Sequence, residues 1–213
     1  MFQTSIKSLT IEPENLLGSI GVGAESARVL SASLVKNPGM LRSLDLKGLK
    51  TWNDDDLSSI FRSIRNSGRG VLNRLVLCNT TLGRPTGGDA VEQLHQLLKS
   101  DNGFLETLAL DDSDITYLDA RRVAQGFWRT KTLKSLSLLN CKVSTDGAAI
   151  LLDSMTQANL ETMVLRNNGL RLVENFKYVE SLPVIDAKLI KELERVGNMN
   201  RERRTWKEAS AEL

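Results

Sequence analysis

The hexamer Leu-x-x-Leu-x-Leu returns along this chain at a nearly fixed distance. It reads LRSLDL from Leu41, LNRLVL from Leu72, LETLAL from Leu105, LKSLSL from Leu133 and LETMVL from Leu160, with a weaker IKSLTI from Ile6. Successive starts are roughly 27 to 35 residues apart, inside the window that marks stacked repeat architectures. A chain built this way folds by repetition, and a continuous core is the only way its apolar residues can all be covered.

Within a copy the rhythm changes from period two to a helical period. Alternation puts Leu108 and Leu110 on one face of a short strand and leaves Thr107, Ala109 and Asp111 on the other. Leu57, Ile60, Phe61 and Ile64 then fall at i, i+3, i+4 and i+7, a single apolar stripe. Ala27 with Leu30 and Leu34, Ala90 with Leu94 and Leu97, Val123 with Phe127, and Ala148 with Leu152 and Met155 repeat it. Oxygen-bearing residues mark the helix starts: Asn53 before Asp54, Asp55 and Asp56, Thr116 three before Asp119, and Thr145 before Asp146. One strand–helix unit cannot hide its own apolar edge, so neighbours stack, strands inside a curve and the wider helices outside. The expected fold class is α/β, a right-handed solenoid with a parallel concave sheet and convex helices.

The segments LKSLSLLNCKV and LETMVLRNNGL resemble the Leu-x-x-Leu-x-Leu-x-x-Asn/Cys-x-Leu signature of leucine-rich repeats, and their spacing resembles the ribonuclease-inhibitor-like subtype. The likeness covers about residues 6 to 171. It implies that Cys141 and Asn168 bond the backbone of the turn after the strand, and that the concave sheet binds protein. In the other copies the same position reads Glu14, Leu49, Thr80 and Ser113, so those turns need other partners. The domain organisation that follows is a solenoid of about six repeats over 1–173 and a C-terminal helical cap and tail over 174–213. Ser181 and Pro183 open a helix whose stripe Ile185, Leu189, Leu193 and Val196 covers the last apolar edge. Beyond it, Arg201, Arg203, Arg204 and Trp206 are candidates for contacting a partner.

A formal net charge of +2 with no basic run argues against nucleic acid. The sequence has no apolar run long enough for membrane insertion, and MFQTSIKSL lacks the apolar core of a secretion signal. Two cysteines make no disulfide framework and suit a reducing compartment, so the expected location is intracellular, most simply cytoplasmic.

Convergent chemistry is sparse. His95, the single histidine, lies between Leu94 and Leu97 on an outer helix and reads as a satisfied or solvent-facing side chain. Cys78 and Cys141 have no ligand spacing, and Asp111 to Asp114 lack the pattern of a calcium loop. No catalytic, cofactor-binding or metal-binding residue is assigned, and the chain reads as a non-enzymatic interaction or scaffold module with protein partners, a subunit of a larger assembly. The alternative is a regulator of an enzyme, an inhibitor or a GTPase-activating protein, for which Arg84 and Arg166 are the available arginines. The concave candidates are Arg74, Val76, Cys78, Ala109, Asp111, Ser137, Leu139, Val164 and Arg166. Val76, Cys78, Ala109 and Leu139 form an apolar strip with Arg74, Asp111 and Arg166 around it, the composition of a protein contact.

Overall fold

In the computed structural model, which describes residues 6–12, 24–36, 41–67, 71–83, 89–100, 105–127, 129–157, 160–165, 171–172 and 184–185, the repeated hexamers are strands. They are β1 (Ser8–Ile11), β2 (Ser43–Lys47), β3 (Arg74–Cys78), β4 (Thr107–Ala109), β5 (Ser135–Ser137) and β6 (Thr162–Val164), paired in parallel and in chain order in one sheet. Between them run α1 (Ala24–Lys36), α2 (Asp54–Asn66), α3 (Ala90–Lys99), α4 (Tyr117–Phe127) and α5 (Ser144–Gln157), each packed on the next. The helix α5 begins one residue before the expected Thr145.

Register makes the core. Leu9, Leu44, Leu75, Leu108, Leu136 and Met163 are partners from strand to strand. The four central leucines of that row are fully buried, as are Leu46, Leu77, Leu110 and Leu138 two residues on. Burying one leucine is worth about 1.5–3 kcal/mol, so each added repeat brings several kcal/mol that it could not gain alone. The helical stripes close the other side: Leu57, Ile60, Phe61, Leu94, Val123 and Phe127 are fully buried, and Ile64 packs against them. Ala148 is also buried; the side chains of Leu152 and Met155 lie outside the described residues. Trp52, which has no counterpart in the repeat pattern, is also fully buried; its Nε1 donates to Ser26 Oγ at 3.2 Å and its carbonyl accepts from Thr81 Oγ1. One residue, through its ring and its carbonyl, thereby ties together the first three repeats.

The strands β2 to β5 end in the same turn. Gly48, Asn79, Asp112 and Asn140 occupy equivalent positions and all have positive φ, between 53° and 67°. Glycine, asparagine and aspartate are the residues that tolerate this left-handed region. Their amides reach across the stack, Gly48 N to Cys78 O, Asn79 N to Asp111 O and Asp112 N to Leu139 O, each at 2.8 Å. The next position fills the turn differently in each repeat. Cys141 Sγ donates to Leu110 O at 3.2 Å, as the resemblance implies. Thr80 Oγ1 and Ser113 Oγ bond each other at 3.3 Å, while buried Leu49 leaves its turn to the backbone bonds of Gly48, Lys50 and Trp52. Gly83 has φ of 84°, and a Cβ there would stand 2.6 Å from Asp114 O, so only glycine lets these two turns meet.

Helix starts are satisfied within and between repeats. Asn53 and Asp56 form a reciprocal capping box on α2, with both bonds at 2.9 Å. Asp119 Oδ2 accepts from Thr116 N at 3.0 Å and from Thr116 Oγ1 at 2.7 Å. At α3 the preceding residue, Asp89, makes no cap bond; it accepts from Ser58, Arg62 and Gln93, which holds its carboxyl below the usual range. The amide of Ala90 is met instead by Asp54 Oδ2 of the previous repeat at 2.9 Å.

At the C-terminal end β7 (Arg171–Leu172) and β8 (Val184–Ile185) pair in parallel as a separate sheet. Ile185 is therefore extended, not the first residue of a helical stripe. Val184 and Ile185 are both β-branched, which suits a strand. Leu189, Leu193 and Val196 lie outside the described residues.

Asp54 gives a stability test. Burial raises its pKa more than the Ala90 amide lowers it, so the charged form costs stability as pH rises above the unfolded value of about 4. Asp54→Ala leaves a buried amide without an acceptor and is expected to cost about 1–3 kcal/mol in urea unfolding. Asp54→Asn keeps an acceptor oxygen without charge, and its stability relative to the parent protein is expected to improve from pH 4 to pH 7. An opposite trend would overturn the assignment.

Candidate functional site

The concave face carries the strand residues that alternate with the buried leucines. Asp45, Val76, Ala109, Ser137 and Val164 form its central row by register. Cys78, Asp111 and Leu139 follow at the strand ends, and Ser43, Arg74, Thr107, Ser135 and Thr162 precede.

Asp111 is the organising residue. Its Oδ1 accepts from Ser137 Oγ at 2.6 Å and from the Leu139 amide at 2.9 Å, and its Oδ2 stands 4.0 Å from Cys78 Sγ. One carboxylate thus joins three repeats, and the donors around it fix its position. The other concave charges are paired sideways: Arg74 Nε with Asp45 Oδ1 at 3.4 Å, Lys47 with Glu12 at 3.5 Å, and Lys134 with Glu106 at 2.8 Å. Ser43 Oγ also donates to Asp45 Oδ1 at 3.1 Å. Exposed pairs of this kind contribute only ~0–1 kcal/mol each. Paired in this way the three couples largely cancel at a distance, while Asp111 is held by uncharged donors alone.

The apolar strip differs from the sequence expectation at one position. Val76 lies in the displayed row but is only 3% exposed, so it offers almost no contact area. Its register partner Asp45 is drawn to Arg74, and these polar side chains stand along its flank. Ala109 and Leu139 are half-buried, Cys78 likewise, and Val164 is 36% exposed. The apolar area left on this face is therefore Cys78, Ala109, Leu139 and Val164, shifted toward the C-terminal repeats. Asp111 and Ser137 are its pinned floor, not a free charged rim. Arg166, Arg84 and the tail residues Arg201, Arg203, Arg204 and Trp206 lie outside the described residues.

The remaining reactive side chains are engaged. His95 Nδ1 lies 2.9 Å from the Arg122 carbonyl, which can only accept, so that nitrogen carries the proton. Asp112 accepts from Asn140 Nδ2 at 2.7 Å and Asp114 pairs with Lys142 at 2.6 Å, which uses up the acidic run. Among the described residues no group of three or more His, Cys, Asp or Glu is placed to hold a metal ion, and no helix is long and apolar enough to cross a membrane. Burial, and then the Asp111 charge, pushes the Cys78 thiol up to about 11; burial also pushes Cys141 to about 12. Both are protonated at neutral pH, the form that hydrogen-bond donation by Cys141 requires.

Sequence reasoning listed Asp111 but missed its clasp, and missed the left-handed row. The second had a readable signal: Gly48, Asn79, Asp112 and Asn140 recur at one repeat position. The clasp had none, because its partners are about 26 to 28 residues away.

No protein-family model matches the chain. It is 30% identical over 171 residues to the ribonuclease inhibitor of Sus scrofa, an alignment that covers 78% of this chain and 34% of that protein. Its fold matches a tropomodulin C-terminal domain from Caenorhabditis elegans with a TM-score of 0.66 at 12% identity, covering 86% of this chain and 98% of that one. The chain has a leucine-rich repeat fold. This repeat arc also superposes on a leiomodin-1 structure, Actin-Binding Site 2, with a TM-score of 0.64 at 12% identity, covering 88% and 94% of the two chains. These two likenesses are of fold. The leucine-rich repeat chain spans about a third of the length of the curated relative.

The Asp111–Cys78 geometry is testable by alkylation. At pH 8 the Cys78 thiolate fraction is expected on the order of 100-fold below that of a free cysteine, with iodoacetamide labelling slowed to match. Asp111→Asn should speed labelling a few-fold, because burial is the larger cause. Identical rates in the two proteins, read by mass spectrometry, would remove Asp111 from the account.

Proposed function

We propose that the concave face is a protein-binding surface and that the chain works as a non-enzymatic interaction module, a subunit of a larger assembly. The observation that carries this reading is the half-exposed apolar strip Ala109, Leu139 and Val164 set on a floor fixed by Asp111. An apolar centre held rigid before binding loses little side-chain entropy on contact. The engaged states of His95, Cys78 and Cys141 support a non-catalytic role. The division into a repeat arc over 1–173 and a segment over 174–213 that closes its last edge belongs to the same reading, as do Arg166 and the tail residues Arg201, Arg203, Arg204 and Trp206 as further contacts. So does a location inside the cell.

The likeness to a ribonuclease inhibitor supports a second reading, in which the partner is an enzyme and the chain inhibits it. The GTPase-activating form of that reading has no such support.

Tagged protein and a Leu139→Asp/Val164→Asp variant, purified in parallel from the native source, test the proposal. Loss of stoichiometric partners from the variant with an unchanged melting temperature is the expected result. A single enzyme among the lost partners, inhibited on re-addition of the parent protein, selects the second reading. Full retention of partners by a folded variant overturns the concave assignment.

A further inference from the structure

The strand–helix–strand connection places every helix C-terminus and every strand N-terminus on one rim of the arc, and every strand C-terminus and helix N-terminus on the other. Lys36 ends α1, Arg65 lies in the last turn of α2, Lys99 ends α3 and Arg129 follows α4, while Lys7 and Arg42 immediately precede β1 and β2. All six are exposed or half-exposed, and among the described residues none forms an ion pair or a side-chain hydrogen bond. On the opposite rim most described acids are engaged: Asp54, Asp56, Asp89, Asp112, Asp114 and Asp119 have partners, and exposed Asp55 is the exception in the first turn of α2. A net charge of only +2 therefore conceals a rim whose uncompensated charge, among the described residues, is positive.

Cations at helix C-termini offset the macrodipole, which accounts for Lys36, Arg65 and Lys99 individually. It does not account for Lys7 and Arg42, which are on no helix, or for the large apolar side chains among them. Ile6 is 65% and Val35 51% exposed, each adjacent in sequence to one of these cations. Exposed apolar groups amid unpaired cations are the two halves of a contact with an acidic, amphipathic protein segment.

We infer that this basic rim is a second interaction surface, independent of the concave face, and that its partner is a protein segment carrying spaced carboxylates around an apolar contact. The spacing selects protein over nucleic acid. Packed helices are about 8–10 Å apart, so the rim offers one cation per such step, whereas duplex DNA presents one charge per about 1.7 Å of its axis. Glutamates seven residues apart on a helix are separated by about 10.5 Å, which matches the rim.

A labelled 21-residue helical peptide with glutamates every seventh position and leucines beside them serves as the probe, read by fluorescence anisotropy at low and physiological salt. Saturable binding is expected, weakened at least tenfold by Arg65→Glu/Lys99→Glu and by Lys36→Glu/Arg42→Glu. It should be unchanged by Lys50→Glu, an exposed cation in the β2–α2 connection on the opposite rim. Ile6→Ser/Val35→Ser should remove the part of binding that survives salt. If a charge-reversed variant melts early, the Arg65→Gln/Lys99→Gln pair makes the same comparison with a smaller perturbation. Absent peptide binding, equal loss from Lys50→Glu, or tighter binding to a 20-base-pair duplex or to phosphatidylserine vesicles at the same salt overturns the inference.

Discussion

No turn of this coil can hide its own leucines, and that dependence organises everything else. Leu44 is covered because Leu9 and Leu75 lie beside it in register, and Leu108 because Leu75 and Leu136 do. Stability is thus passed between neighbours, and a strand displaced by one residue would turn its leucines outward. The same register that buries one set of side chains lines up the alternate set. The rows of the concave face are consequences of core packing, not separate designs.

A second constraint fixes where the strands stop. The chain must turn sharply from sheet to helix within a few residues, and the left-handed conformation of Gly48, Asn79, Asp112 and Asn140 accomplishes it each time. Because those amides bond to the next repeat, the turns stack as firmly as the strands. Asp111 stands one residue before such a position, so its backbone is fixed on both sides and its carboxylate can reach Ser137 and the Leu139 amide without freedom to wander. Interchange of leucine, threonine, serine and cysteine at the next position shows what the turn requires. It needs a small or apolar side chain that fills the interior, and it takes hydrogen bonds from whichever neighbour can supply them.

The strands and helices were legible because each depends on residues close in sequence: period two for Leu108 and Leu110, period 3.6 for Leu57, Ile60, Phe61 and Ile64, a capping box for Asn53 and Asp56. What could not be read depends on a neighbour one repeat away. Val76 has the alternation of a displayed residue, yet the pairing of Arg74 with Asp45 beside it is a fact of lateral packing. Asp54 reads as part of the start of α2, and only the stack shows it also meeting the first amide of α3. Ile185 fits a helical stripe on paper, but it is β-branched beside Val184 and pairs with β7 as a strand. The site was legible as a surface, through the alternation, and illegible as an arrangement.

The two rims differ for a reason built into the topology. In an all-parallel strand–helix array every helix runs the same way, so their dipoles add side by side and never cancel as they do in antiparallel bundles. Acids gather where the helices begin, and there the orphan amides and hydroxyls of the first turns engage most of them. Cations gather where the helices end, but carbonyls at that end make weaker and less directed demands on a long flexible side chain. The outcome is an asymmetry of availability more than of charge. The acidic rim is largely spent on the fold and the basic rim is not, so two partners that differ in chemistry could engage the concave face and the basic edge without competing for one surface.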